Sequence, residues 1–143
     1  MNNENLYEEL AFSAMAARAA AYSPYSGVSV GAALLTSAGN MYLGANIENA
    51  SYGGTMCAER VAFFKAVSAG ERNFYAIAIA GGKTGEEIST PFSPCGMCRQ
   101  VMAEFCDPDF KIIVVGASGF DVYTLGELLP QSFGGASLEK AKK

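Results

Sequence analysis

Phe74-Tyr75-Ala76-Ile77-Ala78-Ile79-Ala80 is an apolar run, largely of β type, with helical stretches on both sides: Cys57 to Ala69 before it and Cys95 to Phe105 after it. Strands that alternate with helices in this way imply a sheet covered on both faces. Working outward, Gly70 stops the first helix and Asp107-Pro108 follows the second. Phe110 to Gly116 reads as another buried strand, Asp121 to Tyr123 as a short fifth one, and Leu125 to Leu129 as a short helix. Upstream, Val28 to Thr36 and Met41 to Ala45 form an antiparallel hairpin around Ala38-Gly39-Asn40. Leu6 to Tyr22 is Ala-rich, with Leu6, Leu10 and Met15 at helical spacing, and Ser23-Pro24-Tyr25-Ser26-Gly27 ends it. Residues 46–55 and 81–91 read as loops. The order α-β-β-α-β-α-β-β-α predicts an α/β fold: a three-layer α-β-α sandwich around a mixed five-stranded sheet, with parallel strands where a helical crossover joins them.

A chain of 143 residues, half of them hydrophobic, is expected to be one domain with a core of useful size. Residues 134–143, with Lys140, Lys142 and Lys143, are expected to be a solvated, mobile tail. No apolar run approaches the length of a membrane span, so no membrane partner is expected. The polar, acidic start over residues 1–9 does not read as a signal peptide. A cytoplasmic protein with reduced thiols is the expectation. Net charge is −4, with basic residues scattered rather than striped, which argues against a nucleic-acid backbone as partner and for a small uncharged substrate.

The chemistry is concentrated in two short words, Cys57-Ala58-Glu59-Arg60 and Pro94-Cys95-Gly96-Met97-Cys98-Arg99. Cys95 and Cys98 are three residues apart and share one face of a helix. Cys57 falls near the start of the preceding helix. Positive helix N-termini beside the thiolates lower the thiol pKa and favour a bound cation. The chain has no histidine. Cys106 lies eight residues after Cys98, about 12 Å along a continuous helix, too far to join the same ion, so it reads as a small buried hydrophobe. Three thiolates with no fourth protein ligand describe a catalytic zinc, one per subunit, with a position left for water. Glu59 is the candidate proton carrier beside that water. Arg60 and Arg99 follow the ligand cysteines closely and are expected to hydrogen-bond the sulfurs, offsetting the surplus negative charge. A C-G-x-C pair also suits a thioredoxin-like redox site, but the third cysteine, in its own C-x-E word, argues against that.

At these residues the chain resembles the small, homotetrameric type of cytidine deaminase. A three-cysteine zinc, a glutamate that is not a ligand and a P-C-x-x-C word are shared features of zinc deaminases. The resemblance extends over Tyr22-Ser23-Pro24-Tyr25-Ser26, Val30-Gly31-Ala32-Ala33-Leu34, Asn46-Ile47-Glu48-Asn49-Ala50 and Leu128-Leu129-Pro130 with Phe133. It implies Cys57, Cys95 and Cys98 as zinc ligands and Glu59 as proton shuttle. It implies that Asn46 and Glu48 hold the ribose hydroxyls. The Ala58 N–H would meet the 2-oxo group of the base, and the Ser93 carbonyl would accept from the leaving amino group. Tyr52 and Phe133 would line the site, with a neighbouring subunit supplying part of that wall near the interfaces of a homotetramer. Relatives often carry Phe, packed on the base, where this chain has Val28, so the resemblance leaves base preference open.

The expected reaction is zinc-dependent hydrolysis of cytidine and 2′-deoxycytidine to uridine and 2′-deoxyuridine plus ammonia. A deaminase of a modified cytosine nucleoside, of the blasticidin type, is the alternative, ahead of a non-catalytic zinc-stabilised binding module. Whether turnover serves pyrimidine salvage or detoxification is not written in the residues.

Overall fold

The computed structural model describes residues 3–142; Lys143, one of the basic residues of the expected tail, and the first two residues of the polar start lie outside them. The elements are α1 (Asn3–Ala17), β1 (Val28–Thr36), β2 (Met41–Ala45), α2 (Ala58–Ser68), β3 (Phe74–Lys83), α3 (Gly96–Phe105), β4 (Lys111–Gly116), β5 (Gly119–Thr124), α4 (Leu125–Leu128) and α5 (Gly135–Ala141). Five strands form one mixed sheet in the order β2-β1-β3-β4-β5. β1 is antiparallel to both β2 and β3, β3 and β4 are parallel across the α3 crossover, and β5 returns antiparallel on β4. The expected α/β sandwich with a mixed five-stranded sheet is the observed one.

Strand alternation sends side chains to two separate cores. Ala32, Leu34, Ile77, Ile79, Ile112 and Val114 face α2 and α3, where Ala62, Phe63, Cys98 and Met102 complete the layer. Ala33, Leu35, Ala76, Ala78, Ala80, Ile113 and Val115 face α1, which contributes Tyr7, Leu10, Ala11 and Ala14. Small residues on both sides of that second interface let α1 lie close to the sheet. At Gly31 a Cβ would stand 2.1 Å from the Ala14 carbonyl oxygen, so only glycine fits. Gly44 on β2 plays the same part for α2: a Cβ there would stand 2.2 Å from the Ala58 carbonyl oxygen and 2.7 Å from the Ala62 nitrogen. The rings of Phe74, Phe105 and Phe110 surround fully buried Phe63, with centroids 5.1 to 6.4 Å away.

Several boundaries differ from the sequence reading. The first helix starts at Asn3 rather than Leu6 and ends at Ala17, followed by a single 3₁₀ turn over Arg18–Ala20. Tyr22 is not helical: its N–H donates to the Asn46 carbonyl and its own carbonyl accepts from Glu48 N–H, which pulls it into extended pairing. β3 continues through Gly81 and Gly82 to Lys83, read from sequence as loop, because β1 offers it pairing partners out to Val28. β5 is twice the length expected from Asp121 to Tyr123. Within the expected tail, residues 135–141 form the helix α5. No described helix is long and apolar enough to cross a membrane.

Candidate metal centre

Cys57 is the residue capping the N-terminus of α2, and Cys95 caps that of α3. Cys98 follows one turn later inside α3 and is buried. The α2 and α3 crossovers thus bring two helix N-termini together, and the three sulfurs lie within 4.8 Å of one another. Cys57 Sγ is 3.7 Å from Cys95 Sγ, which is 3.5 Å from Cys98 Sγ. Sulfurs about 2.3 Å from a tetrahedral zinc stand about 3.8 Å apart. The donor set therefore fits zinc in number, chemistry and spacing. Cys106, the residue ending α3, is outside this group and packs beside the core.

The cluster is built to hold negative charge. Hydrogen bonding from the Cys98 thiol, together with Arg60, holds the Cys57 thiol down at about 5, against the burial that opposes it. The same bond pushes Cys98 upward, since the proton rests there when Cys57 is ionised. Arg60 is buried, its Nη2 donates to Cys57 Sγ at 3.4 Å, and it also interacts with Cys98. Its Nε is buried without a hydrogen-bond partner among the described residues, so the guanidinium serves the sulfurs through its terminal nitrogens and its charge. Arg99 departs from expectation. Its Nε donates to the Pro94 carbonyl at 2.8 Å, Nη1 to the Leu128 carbonyl at 2.8 Å and Nη2 to Ser93 Oγ at 3.1 Å. Those three bonds use the planar fork to tie the 93–95 segment to the end of α4, directing the side chain to oxygens and not to sulfur.

Glu59 is 4% exposed and stands in the first turn of α2. Burial, reinforced by the charge of Cys57, pushes its carboxyl up to about 7. A carboxyl near 7 can both take and give a proton at neutral pH. Ala58, the first residue of α2, has a backbone N–H with no helical acceptor. Both residues line a cavity of about 200 Å³ with Cys57, Cys95, Asn46 and Ser93, closed by Val30, Thr55, Met56, Ile79 and Phe92. A second cavity, of about 310 Å³, is lined by Tyr25, Ser26, Glu48 and Tyr52 and meets the first at Thr55.

Glu48 and Asn46 organise this junction. Glu48 Oε1 accepts from the backbone N–H groups of Tyr25 and Ser26 at 2.9 and 3.0 Å, and Oε2 accepts from the Ser26 hydroxyl. Those bonds, that of the hydroxyl foremost, hold its carboxyl below the usual range. Asn46 is buried, with Oδ1 accepting from Val30 N–H and Nδ2 donating to the Val28 carbonyl, both at 2.9 Å. Val28 itself is at the start of β1, opposite Lys83, and lines neither cavity; Val30, two residues inward on the same face, does. Phe133 also lies outside both cavities. It is 58% exposed, with its carbonyl accepting from Gln100 Nε2 at 2.8 Å. Tyr52 reaches the outer cavity edge-on to Tyr25, with ring centroids 5.7 Å apart. The sequence reading missed Val30, Thr55, Met56, Ile79 and Phe92; alternation along β1 and β3 could have nominated Val30 and Ile79, whereas nothing local marks Phe92.

Residues 6–115 match the family described as the cytidine and deoxycytidylate deaminase zinc-binding region. The chain is 46% identical over 135 residues to a cytidine deaminase of Sporosarcina psychrophila, covering 94% of this chain and 96% of the other. It is 50% identical over 121 residues to a cytidine deaminase of Halalkalibacterium halodurans, covering 84% and 88% respectively. Among solved structures, a crystal structure of cytidine deaminase from Burkholderia pseudomallei superposes with a TM-score of 0.81 at 44% identity, covering 88% of this chain and 98% of that one.

Proposed function

Because the chain belongs to the cytidine and deoxycytidylate deaminase family, we propose that it hydrolyses cytidine and 2′-deoxycytidine to uridine and 2′-deoxyuridine with release of ammonia. The observation that carries this reading is a cluster of three sulfurs within 4.8 Å of one another, two of which, Cys57 and Cys95, share a cavity of about 200 Å³ with the buried Glu59 carboxyl. Zinc held by Cys57, Cys95 and Cys98 supplies a Lewis acid that makes water nucleophilic near neutral pH.

The chain's own groups do the rest. Glu59 takes a proton from the attacking water and delivers it to N3 of the base, which makes C4 more electrophilic. It then passes the second proton to the exocyclic amino group, which leaves as ammonia. The Ala58 N–H, at the positive end of α2, donates to the 2-oxo group and fixes the ring in the cavity. The Ser93 carbonyl accepts from the departing amine. Glu48, kept ionised by Ser26 and the Tyr25–Ser26 backbone, retains acceptor capacity on Oε2 for a ribose hydroxyl. Asn46, anchored to β1 through both amide atoms, offers its remaining N–H and lone pair beside it.

Assembly as a homotetramer in the cytoplasm, with a place in pyrimidine salvage, belongs to the same proposal. Supporting the assembly, Tyr52 is 73% exposed, Phe133 stands clear of its own chain's cavities, and an apolar cavity lies between α1 and β2 at Ala16, Ala20, Leu43 and Ile47. Light scattering of the purified protein checks it.

The direct test is Glu59→Ala in zinc-loaded protein. Zinc content and thermal midpoint should stay near wild type, while kcat for cytidine, read by ultraviolet absorbance, falls by at least about 100-fold. A variant with near-normal kcat would refute the role of Glu59.

A further inference from the structure

We propose that Phe92 is the stacking surface for the substrate's base and that Gly81 exists to seat it; this rests on the deaminase reading above. Among the described residues Phe92 is the only aromatic one lining the inner cavity, which it shares with Cys57, Cys95 and Glu59. The side chain is half-buried and forms part of the cavity lining. The ring packs directly on the backbone of β3 at Gly81. A Cβ built on Gly81 would stand 2.7 Å from both Cγ and Cδ2 of the ring and 3.1 Å from its Cβ. Gly81 is buried, extended and without positive φ, so its backbone alone would accept alanine. What excludes a side chain there is the ring.

The position of Gly81 explains the ring's reach. Gly81 pairs with Val30 across β1 and β3, and Ile79 is two residues before it on the same face. Val30, Ile79 and the Phe92 ring therefore form one continuous apolar wall. Two members of that wall are aliphatic. The third is flat, and a flat heteroaromatic ring stacks on a flat partner better than on a branched one. Phe92 is also one residue from Ser93, whose carbonyl faces the same cavity in the mechanism, so the 92–93 segment would fix both the plane of the base and its amino edge.

The probe is uridine, titrated calorimetrically into zinc-loaded protein, with cytidine turnover and thermal midpoint measured alongside. Phe92→Leu should weaken uridine binding by about 3- to 10-fold and raise the cytidine KM by a similar factor, the scale of a lost aromatic pair. Phe92→Tyr should keep both within about twofold. Gly81→Ala should weaken uridine binding in the wild-type background and add little in a Phe92→Ala background, which lacks the two ring carbons at 2.7 Å. A Phe92→Leu protein that binds uridine as tightly as wild type overturns the proposal, as does a Gly81→Ala effect of equal size in both backgrounds. Failure of the zinc-loaded wild type to release ammonia from cytidine would instead overturn the deaminase reading itself.

Discussion

Gly44→Ala should damage the metal centre without replacing any residue in it. The added methyl carbon would stand 2.2 Å from the Ala58 carbonyl oxygen, 2.7 Å from the Ala62 nitrogen and 3.1 Å from Ala62 Cβ. Two of these three atoms are backbone, so no rotamer change relieves the contact. The first turn of α2 must retreat by on the order of 1 Å to restore ordinary separation. Ala58 adjoins Cys57, so the retreat would carry the Cys57 sulfur away from its neighbour 3.7 Å distant, and Glu59 with it. Zinc–ligand distances tolerate only about 0.2 Å. Overpacking of this kind costs about 1–3 kcal/mol, which for a domain of this size lowers the melting midpoint by roughly 3–10 °C. Zinc affinity, measured by competition with a coloured chelator, should fall at least about tenfold. Gly116→Ala is the control, since its nearest neighbour, the Gly119 carbonyl oxygen, would lie at 3.8 Å. A Gly44→Ala protein with wild-type midpoint and zinc affinity would refute the argument that close packing of α2 on β2 sets the position of the sulfurs.

Replacing Asn46 with Leu removes the bonds to Val30 N–H and the Val28 carbonyl; leaving those groups unpaired should cost about 1–3 kcal/mol each in denaturant unfolding, besides any effect on turnover. Burial pushes the Cys106 thiol up to about 12, so in zinc-loaded protein it should alkylate at pH 9 at least about 100-fold more slowly than a free thiol, and at a normal rate after unfolding. The sign follows: its folded pKa exceeds the unfolded value of about 8.5, so the contribution of Cys106 to stability is complete below that pH and declines as pH rises toward about 12. Comparing urea unfolding of wild type and Cys106→Ala at pH 7 and pH 10 checks it.

The architecture was legible in sequence because burial on both faces of a sheet writes a continuous apolar run, as at Phe74 to Ala80, and because the helix stops are local. The sulfur trio was legible for a similar reason: a spacing of three places Cys95 and Cys98 on one helix face, and a nearby C-x-E word supplies the rest. Contacts made at long range were not. The end of α1 depends on Tyr22 pairing with residues 46–48. The extension of β3 through two glycines depends on β1. Arg99 follows a ligand cysteine, yet its donors find the Pro94 and Leu128 carbonyls and the Ser93 hydroxyl, a geometry set by where α4 docks. Phe92 carries no local signal, since its importance arises from Gly81, eleven residues away.

Cys57 belongs to one crossover and Cys95 and Cys98 to the next, with the segment 84–94 running between β3 and α3. A peptide bond severed in that segment would divide the polypeptide into two pieces, one bearing a single sulfur donor and the other bearing two. The β3–β4 ladder, the packing of Phe63 on Phe105 and Phe110, and one shared cation would hold the halves together, so a nicked molecule would travel through a sizing column as an intact one, and a chelator would lower the denaturant concentration at which the halves part.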